Sequence, residues 1–447
     1  MGVGRRGFGL ILVLAVMLPR LAWFAWLGGE LPQPPRDQPV YIRMAASLLE
    51  GRGLSFDESL ALLKNTRQSD DTEALSGAWN IPGYVFGITP VETPTATIEP
   101  GYPLLLAGLF LVTGPVTGAV YLLNCIAFLL GAWAVWRLAS GSWGEGVGRA
   151  AALVWSVYPW YVYYSAYALT ESLHIALVPV IVLAVLRVQE GRGSGFAAGA
   201  ATGVLFLVRS TALFLLPLEA VHLFLTRRRR ALLPLLAGFA VCAVPWVVRN
   251  QIEMGSPVLL PTKGALNLWM RNNPAVLELE GIRVPEWIGT RRDDLLSYPH
   301  FDDSQGEIDR TRILGARALS YISANPLLYA WLSGGRLVRF LLPVSTGADS
   351  GAATTLGFVL GFVLYLPMLV LTVIEFARRR REQPVRLLAG IFLLYTVMHT
   401  LAHGGVRYRL PVDLVPIVGT CLFFAGRAGR RAAETSKAPS PTGEAGE

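Results

Sequence analysis

Ten stretches of this chain are almost purely apolar, near 8–27, 116–138, 149–165, 167–187, 195–208, 211–226, 231–248, 352–376, 386–402 and 410–426. Several approach the ~20 apolar residues that a helix needs to cross ~30 Å of hydrocarbon. The polar positions between them follow a rule. Arg5 and Arg6, Arg137 and Arg149, Arg187 and Arg192, Arg227 to Arg230, Arg378 to Arg381, and Arg427, Arg430 and Arg431 fill alternate connectors. Basic residues in short loops stay cytoplasmic. The pattern therefore predicts an all-α polytopic membrane protein with these connectors inside. Both long loops, about 28–99 and 250–350, fall outside, facing the periplasm or exterior.

Two further segments are expected to lie on the outer surface rather than to cross. Residues 100–114 are apolar but bounded by Pro100, Pro103 and Gly114. A crossing there would move every later basic connector to the other side, so an interfacial or re-entrant helix is predicted. Residues 326–341 carry Arg336 and Arg339 in an amphipathic pattern and are expected to lie flat or enter partly. The count is then about ten spans, or about twelve if both cross. In the first outer loop, Tyr41, Met44, Leu48 and Leu49 recur at helical spacing. Asp37 sits where an N-cap belongs, Pro39 suits the first turn, and Gly51 and Gly53 suit the end. A membrane-parallel helix that holds Asp37 at its start is predicted. Residues 54–98 are polar and turn-rich, and 427–447 read as a disordered cytoplasmic tail. The membrane domain then occupies 1–426. No internal repeat is seen, which weakens a secondary-transporter reading.

Composition agrees: of 447 residues, 53% are hydrophobic and only 16% charged. The net charge of +8 sits in membrane-flanking connectors rather than in one stripe, which excludes a nucleic-acid groove. Cys125, Cys242 and Cys421 lie in apolar helices with no disulfide or metal spacing. The first run is longer than a signal-peptide core and lacks a small-x-small cleavage site, so it is read as a retained span.

The candidate chemistry gathers on the outer side. Asp37 suits two readings, a base that deprotonates an acceptor hydroxyl at the bilayer surface or a plain helix cap. Glu99 and Glu171 are candidates for a second acidic group. For Glu99, just before Pro100-Gly101-Tyr102-Pro103, a helix-dipole acid is the favoured reading. Thr170 and Glu171 also suit a helix start, and His174 suits a packed, hydrogen-bonded histidine. Arg20, Arg209, Arg249, Lys263, Arg407 and Arg409 are all predicted near the same outer surface. One such cation would be expected to snorkel to headgroups. Six on the less favoured side suggest a phosphate site, since guanidinium forks match phosphate oxygens. Trp155, Tyr158, Trp160, Tyr161, Tyr163, Tyr164 and Tyr167 read as an interfacial aromatic belt. No cofactor is predicted and no motif for a divalent cation is present.

These residues together resemble a family. Asp37 with Tyr41, Ala45, Leu49 and Gly51-x-Gly53 is similar to the first-loop pattern of the polyprenyl-phosphate-sugar-dependent glycosyltransferases of the GT-C superfamily. That branch includes the dolichyl-phosphate-mannose protein mannosyltransferases and the bacterial aminoarabinose transferases of lipid A. The resemblance continues in Pro100 to Leu104, Leu169 to Leu173, Gly203 to Leu213, Pro245 to Asn250, Asn267 to Trp269 with Asn272 to Pro274, and Arg407 to Pro411. It implies a GT-C helical bundle with periplasmic interfacial helices and a sugar donor on a polyprenyl monophosphate. It implies Asp37 as the base, with cations such as Arg249, Lys263, Arg407 or Arg409 neutralising the leaving phosphate. Two departures stand out. Glu99 occupies a place where many relatives have Arg or Lys, and Gln38 follows Asp37 where eukaryotic protein mannosyltransferases carry a second acid. The acceptor is a lipid, glycan or protein, and protein is not specifically implied. Two other readings compete, a surface-polysaccharide polymerase or ligase using a lipid-diphosphate donor, and a lipid-linked sugar transporter. The transporter would need charge at the membrane midplane, where these helices have almost none.

Overall fold

The computed structural model describes residues 4–32, 37–55, 94–273, 284, 285, 288, 306–342, 359 and 361–437, with only the backbone of Asp37 and of residues 430–437. All ten apolar runs contribute helices. Among the described residues six helices are long and apolar enough to cross a bilayer, or seven when a pair bent by 53° at 406–429 is taken as one span. Among the described residues there is no strand, only an isolated bridge between Ser55 and Pro94.

Helix α1 (Arg5–Trp26) shows why so apolar a helix leaves most of its surface uncovered. Only Phe8, Leu12, Val16 and Arg20, at intervals of four, are buried against the bundle. Leu10 and Leu18 point away from it, as lipid-facing residues do. Helix α4 (Thr117–Trp143) runs back beside α1. At one end of this pair Arg5 meets Glu145 at 3.0 Å, and at the other the Tyr121 hydroxyl donates to the Arg20 carbonyl. Helix α3 (Gly101–Thr113) has 13 residues, about 20 Å, too short to cross. The expected span 149–165 is split into α5 (Glu145–Ser156) and α6 (Pro159–Tyr164), where Pro159 starts a new helix. The helices α7 (Glu171–Gln189), α8 (Gly195–Val208), α9 (Leu215–Leu225) and α10 (Leu232–Met254) follow, with a 3₁₀ turn at Ser210–Phe214 between α8 and α9.

The contact between α8 and α10 is built on glycine. A Cβ on Gly195 would meet the Ala231 carbonyl at 2.5 Å, one on Gly199 the Leu235 carbonyl at 1.8 Å, and one on Gly203 the Cys242 side chain at 2.7 Å. Small residues every fourth position let two backbones approach where packing, not water, drives association. Gly199→Val is expected to cost more than about 3 kcal/mol, because backbone rather than a flexible side chain must move. A thermal melt in detergent unchanged by that substitution would contradict the packing. The register pairs Gly203 with Phe239 and Cys242. The end of α8 therefore falls about two turns, roughly 10 Å, short of the end of α10. Arg209, which caps the C-terminal end of α8, is thereby set back from the end of α10.

Further on lie α11 (Lys263–Met270), α12 (Glu307–Ala324) and α13 (Pro326–Leu341). A π-turn at Gly361–Tyr365 leads into α14 (Leu366–Arg378), then come α15 (Gln383–Leu401), α16 (Val406–Arg409) and α17 (Leu414–Lys437). The basic connectors meet at one end. Trp143 donates to Glu382 at 2.7 Å, Arg379 pairs with Glu382 at 3.0 Å, and Arg228 donates to the Gln189 carbonyl at 2.7 Å.

Three expectations need correction. Helix α17 continues to Lys437, so 427–437 is helical rather than part of a disordered tail, while 438–447 lies outside the described residues. The aromatic belt is largely core: Trp155 and Tyr161 are fully buried and Tyr158 and Tyr167 nearly so. Arg20 does not snorkel. It is fully buried, donates 2.8 Å bonds to the Val16 and Ser156 carbonyls and lies 4.1 Å from the Phe128 ring centre. Those carbonyls and that ring replace water for a guanidinium that would otherwise be too costly to enclose.

Candidate functional site

At the end of the bundle opposite the basic connectors, two arginines from distant parts of the chain share one carboxylate oxygen. Glu171 opens α7 and its side chain is almost fully buried, at 2% exposure. Its Oε1 accepts from Arg209 Nη1 at 3.0 Å and from Arg407 Nε. Arg209 also donates to Thr170 Oγ1 at 2.9 Å and lies over the Tyr408 ring at 5.3 Å. Both arginine side chains keep some exposure, 17% and 20%. One carboxylate oxygen thereby holds both cations in place.

The first-loop helix α2 (Asp37–Leu49) is docked against this group. Its face of Tyr41, Met44 and Ala45 is buried, and Tyr41 packs edge-on against Tyr102 at 5.2 Å. Gln38 accepts from the Ala168 backbone N–H at 2.8 Å, three residues before Glu171. Tyr41 lies within electrostatic reach of Arg209. The helix start expected at Asp37 and the end expected at Gly51 and Gly53, with φ of +76° and +72°, are both present. The backbone of Asp37 therefore sits one residue from the Gln38 tether, although its side chain lies outside the described residues. Tyr102 is raised well above the ordinary phenol value by burial first, then by Tyr41 and Glu171, so it stays a neutral hydroxyl.

The other expected site residues go elsewhere. Glu99 accepts from the Ser210 backbone N–H at 2.7 Å, capping the 3₁₀ turn beside Arg209 rather than its own helix. His174 bonds the Tyr395 hydroxyl at 2.6 Å and is buried, as a packed histidine would be. Arg249 donates to the Thr95 and Leu54 carbonyls at 2.9 and 3.3 Å and to Asn250 Oδ1 at 2.9 Å. It clamps both ends of the long first loop to α10. Lys263 follows Thr262, whose hydroxyl donates to Glu307 Oε1 and whose N–H donates to Ala96 O at 3.1 Å. Thr95 Oγ1 also donates to Glu307, at 2.7 Å. Arg249, Thr262 and Glu307 thus belong to a second polar knot at the loop base, with Lys263 next to it in sequence at the start of α11. Arg409 departs furthest from expectation. It is fully buried, pairs with the equally buried Asp413 at 2.8 Å, donates to the Phe340 and Leu341 carbonyls and stacks on Tyr365 at 3.3 Å. An enclosed guanidinium with a carboxylate partner presents no surface to a lipid phosphate.

Sequence reasoning passed over Arg271 and His403. Arg271 Nε donates to His403 Nδ1 at 3.0 Å, and His403 stands against the Tyr408 ring at 4.8 Å. Burial, and then the charge of Arg271, hold His403 well below the usual histidine range, so it is neutral. The signal was available, since Arg271 stands inside the Trp269 to Pro274 segment and His403 four residues before Arg407. Among the described residues no group of three or more His, Cys, Asp or Glu could hold a metal.

The fold and the site define an all-α, polytopic membrane protein with a polar cluster of two arginines on one buried carboxylate at one end of its bundle. Residues 94–248, about a third of the chain, match the family described as dolichyl-phosphate-mannose-protein mannosyltransferase. The match takes in Glu99, Glu171 and Arg209. Among solved structures, the chain is similar to the archaeal oligosaccharyltransferase AglB from Archaeoglobus fulgidus in complex with an inhibitory peptide and a dolichol-phosphate. The TM-score is 0.51 at 13% identity, covering 97% of this chain and 51% of that one. The apo form of the Archaeoglobus fulgidus enzyme gives 0.53 at 12%, with 96% and 51% covered. ArnT from Cupriavidus metallidurans bound to undecaprenyl phosphate gives 0.38 at 15%, with 96% and 81% covered. The chain spans about half the length of the oligosaccharyltransferases it matches. No curated protein matches. The resemblance to the GT-C glycosyltransferases stands on the family match and on the shared membrane fold.

Proposed function

We propose that this chain is a membrane glycosyltransferase that moves a sugar from a polyprenyl-phosphate carrier to an acceptor hydroxyl on the extracytoplasmic side. The observation that carries the reading is the pairing of Arg209 and Arg407 on Glu171 beside the first turn of α2. In this reading Asp37 takes the proton from the acceptor hydroxyl. The acceptor oxygen bonds to the anomeric carbon as the bond from that carbon to the phosphate oxygen breaks. The electron pair stays on the phosphate, whose charge rises by one unit. Fixed guanidinium groups stabilise that change more than they stabilise the bound donor, which is what accelerates a reaction. A phosphate needs no proton to leave, so one base is enough. Arg249 and Lys263 support the floor of the outer loop, and Arg409 supports the bundle. The set-back position of Arg209 suits a phosphate at headgroup depth with its polyprenyl chain among the helices. The oligosaccharyltransferase AglB from Archaeoglobus fulgidus is described in complex with a dolichol-phosphate, which agrees with that ligand class.

The assay that tests this offers the purified chain in proteoliposomes monophosphate- and diphosphate-linked sugars. Transfer only from the diphosphate would replace this reading with the polymerase or ligase one. Sidedness has its own check. A cysteine replacing Asp70 should react with a membrane-impermeant maleimide in intact cells, and one replacing Arg380 only after permeabilisation. The reverse would invert the topology.

A further inference from the structure

The connector between α9 and α10, at the basic end, is four consecutive arginines, Arg227 to Arg230. They line one wall of a cavity of about 970 Å³, with Gly191, Ser194 and the start of α8 opposite. No acidic residue lines it. Glu190, next to Gly191 in sequence, is paired with Arg192 at 3.6 Å. The cavity is shaped rather than incidental. Arg228 is fixed by its bond to the Gln189 carbonyl, and Gly191, at φ +79°, leaves room for its guanidinium. Gly195 brings the start of α8 onto Ala231, next to the arginines, where a Cβ would not fit. First-turn N–H groups of a helix lack intrahelical acceptors and favour anions. All four arginines are exposed, and none has an acidic partner among the described ion pairs.

The surroundings distinguish one anion from another. Directly beside this cationic wall, Leu225, Leu233 and Phe196 are exposed at 70%, 76% and 45%. A free phosphate has no use for them, whereas an amphiphile needs both an anion site and an adjacent apolar flank. We infer that this cavity is a binding site for the headgroup of an anionic phospholipid in the leaflet at the basic end, with its acyl chains along α8 and α10. The site lies across the bundle from the arginine pair on Glu171 and does not depend on the proposed reaction.

Native mass spectrometry of the full chain, released from micelles containing phosphatidylglycerol or phosphatidylcholine, tests this. Phosphatidylglycerol adducts should be retained and phosphatidylcholine adducts should not. The variant Arg227→Gln, Arg229→Gln, Arg230→Gln keeps Arg228, which braces the loop. It should weaken phosphatidylglycerol binding by about a hundredfold if each cation contributes as a basic residue at an anionic surface does. The control Arg378→Gln, Arg380→Gln, Arg381→Gln removes the same charge from another connector at this end and should retain the adduct. Equal loss in both variants, or loss in neither, overturns the site. Competition by millimolar inorganic phosphate as effective as by the lipid would overturn the lipid as its ligand. A circular-dichroism melt that matches wild type identifies a variant that has folded. If the first variant has not, the matching lysine triple takes its place, and it should lose the guanidinium-specific part of the binding while keeping the charge.

Discussion

Asp37→Asn should reduce transfer by at least about a hundredfold, as removal of a general base does, while folding and membrane insertion are unchanged. The substitution separates the two roles of this residue. Asparagine caps a helix as well as aspartate does, so α2 should keep its start at residue 37 and its docking through Gln38 on Ala168. What asparagine cannot do is accept a proton. Turnover of a donor sugar in proteoliposomes, read beside a thermal melt, gives the two outcomes independently. Turnover near wild type with an unchanged melt would leave Asp37 as a cap and remove it from the chemistry.

The second large effect is at the shared carboxylate. Arg209→Ala or Arg407→Ala should each lower kcat/KM for the lipid-phosphate donor by roughly 10- to 150-fold, the range of one charge-assisted hydrogen bond. Because both guanidinium groups meet the same Glu171 oxygen, the double variant should not show the sum of the single effects. Glu171→Gln should act differently. It removes the anion that Arg209 and Arg407 share, and breaking such an arrangement costs about 3–5 kcal/mol. The exposure of the two arginine side chains, 17% and 20%, places the loss toward the lower value. Its signature is a lowered melt that added polyprenyl phosphate partly restores, since the ligand would replace the missing anion. Donor affinity unchanged in both arginine variants would refute the phosphate role.

Much of this architecture was legible along the chain because its causes are local. A run of about 20 apolar residues can only be satisfied as a helix in hydrocarbon, since its backbone has no other partners there. Glycine at Gly51 and proline at Pro159 end or break helices through their own φ angles, and the alternation of the arginine connectors gathers them at one end of the bundle. The short helix near 100–114 was legible for the same reason. The length of spans was less so. The runs 195–208 and 211–226 look like separate crossings, yet they fold as α8 and α9, 14 and 11 residues long, joined at Arg209. Only their packing sets how deep that turn lies.

The partners of charged side chains were not legible at all. Arg20, Arg209, Arg249, Arg407 and Arg409 look alike in sequence, each a cation near the outer end of an apolar helix. In the fold they divide into a buried clamp on carbonyls, a pair on Glu171, a clasp on the loop base and a buried ion pair with Asp413. The decisive contact joins residues 171, 209 and 407, separated by 38 and 236 positions from the carboxylate they share. The sequence by itself determined that this is a helical membrane protein, which end is basic and where α2 begins, because backbone satisfaction and loop charge act over a few residues. The tertiary structure alone decided the partner of each arginine, because which anion or carbonyl comes within about 3 Å of a guanidinium depends on the packing of distant helices.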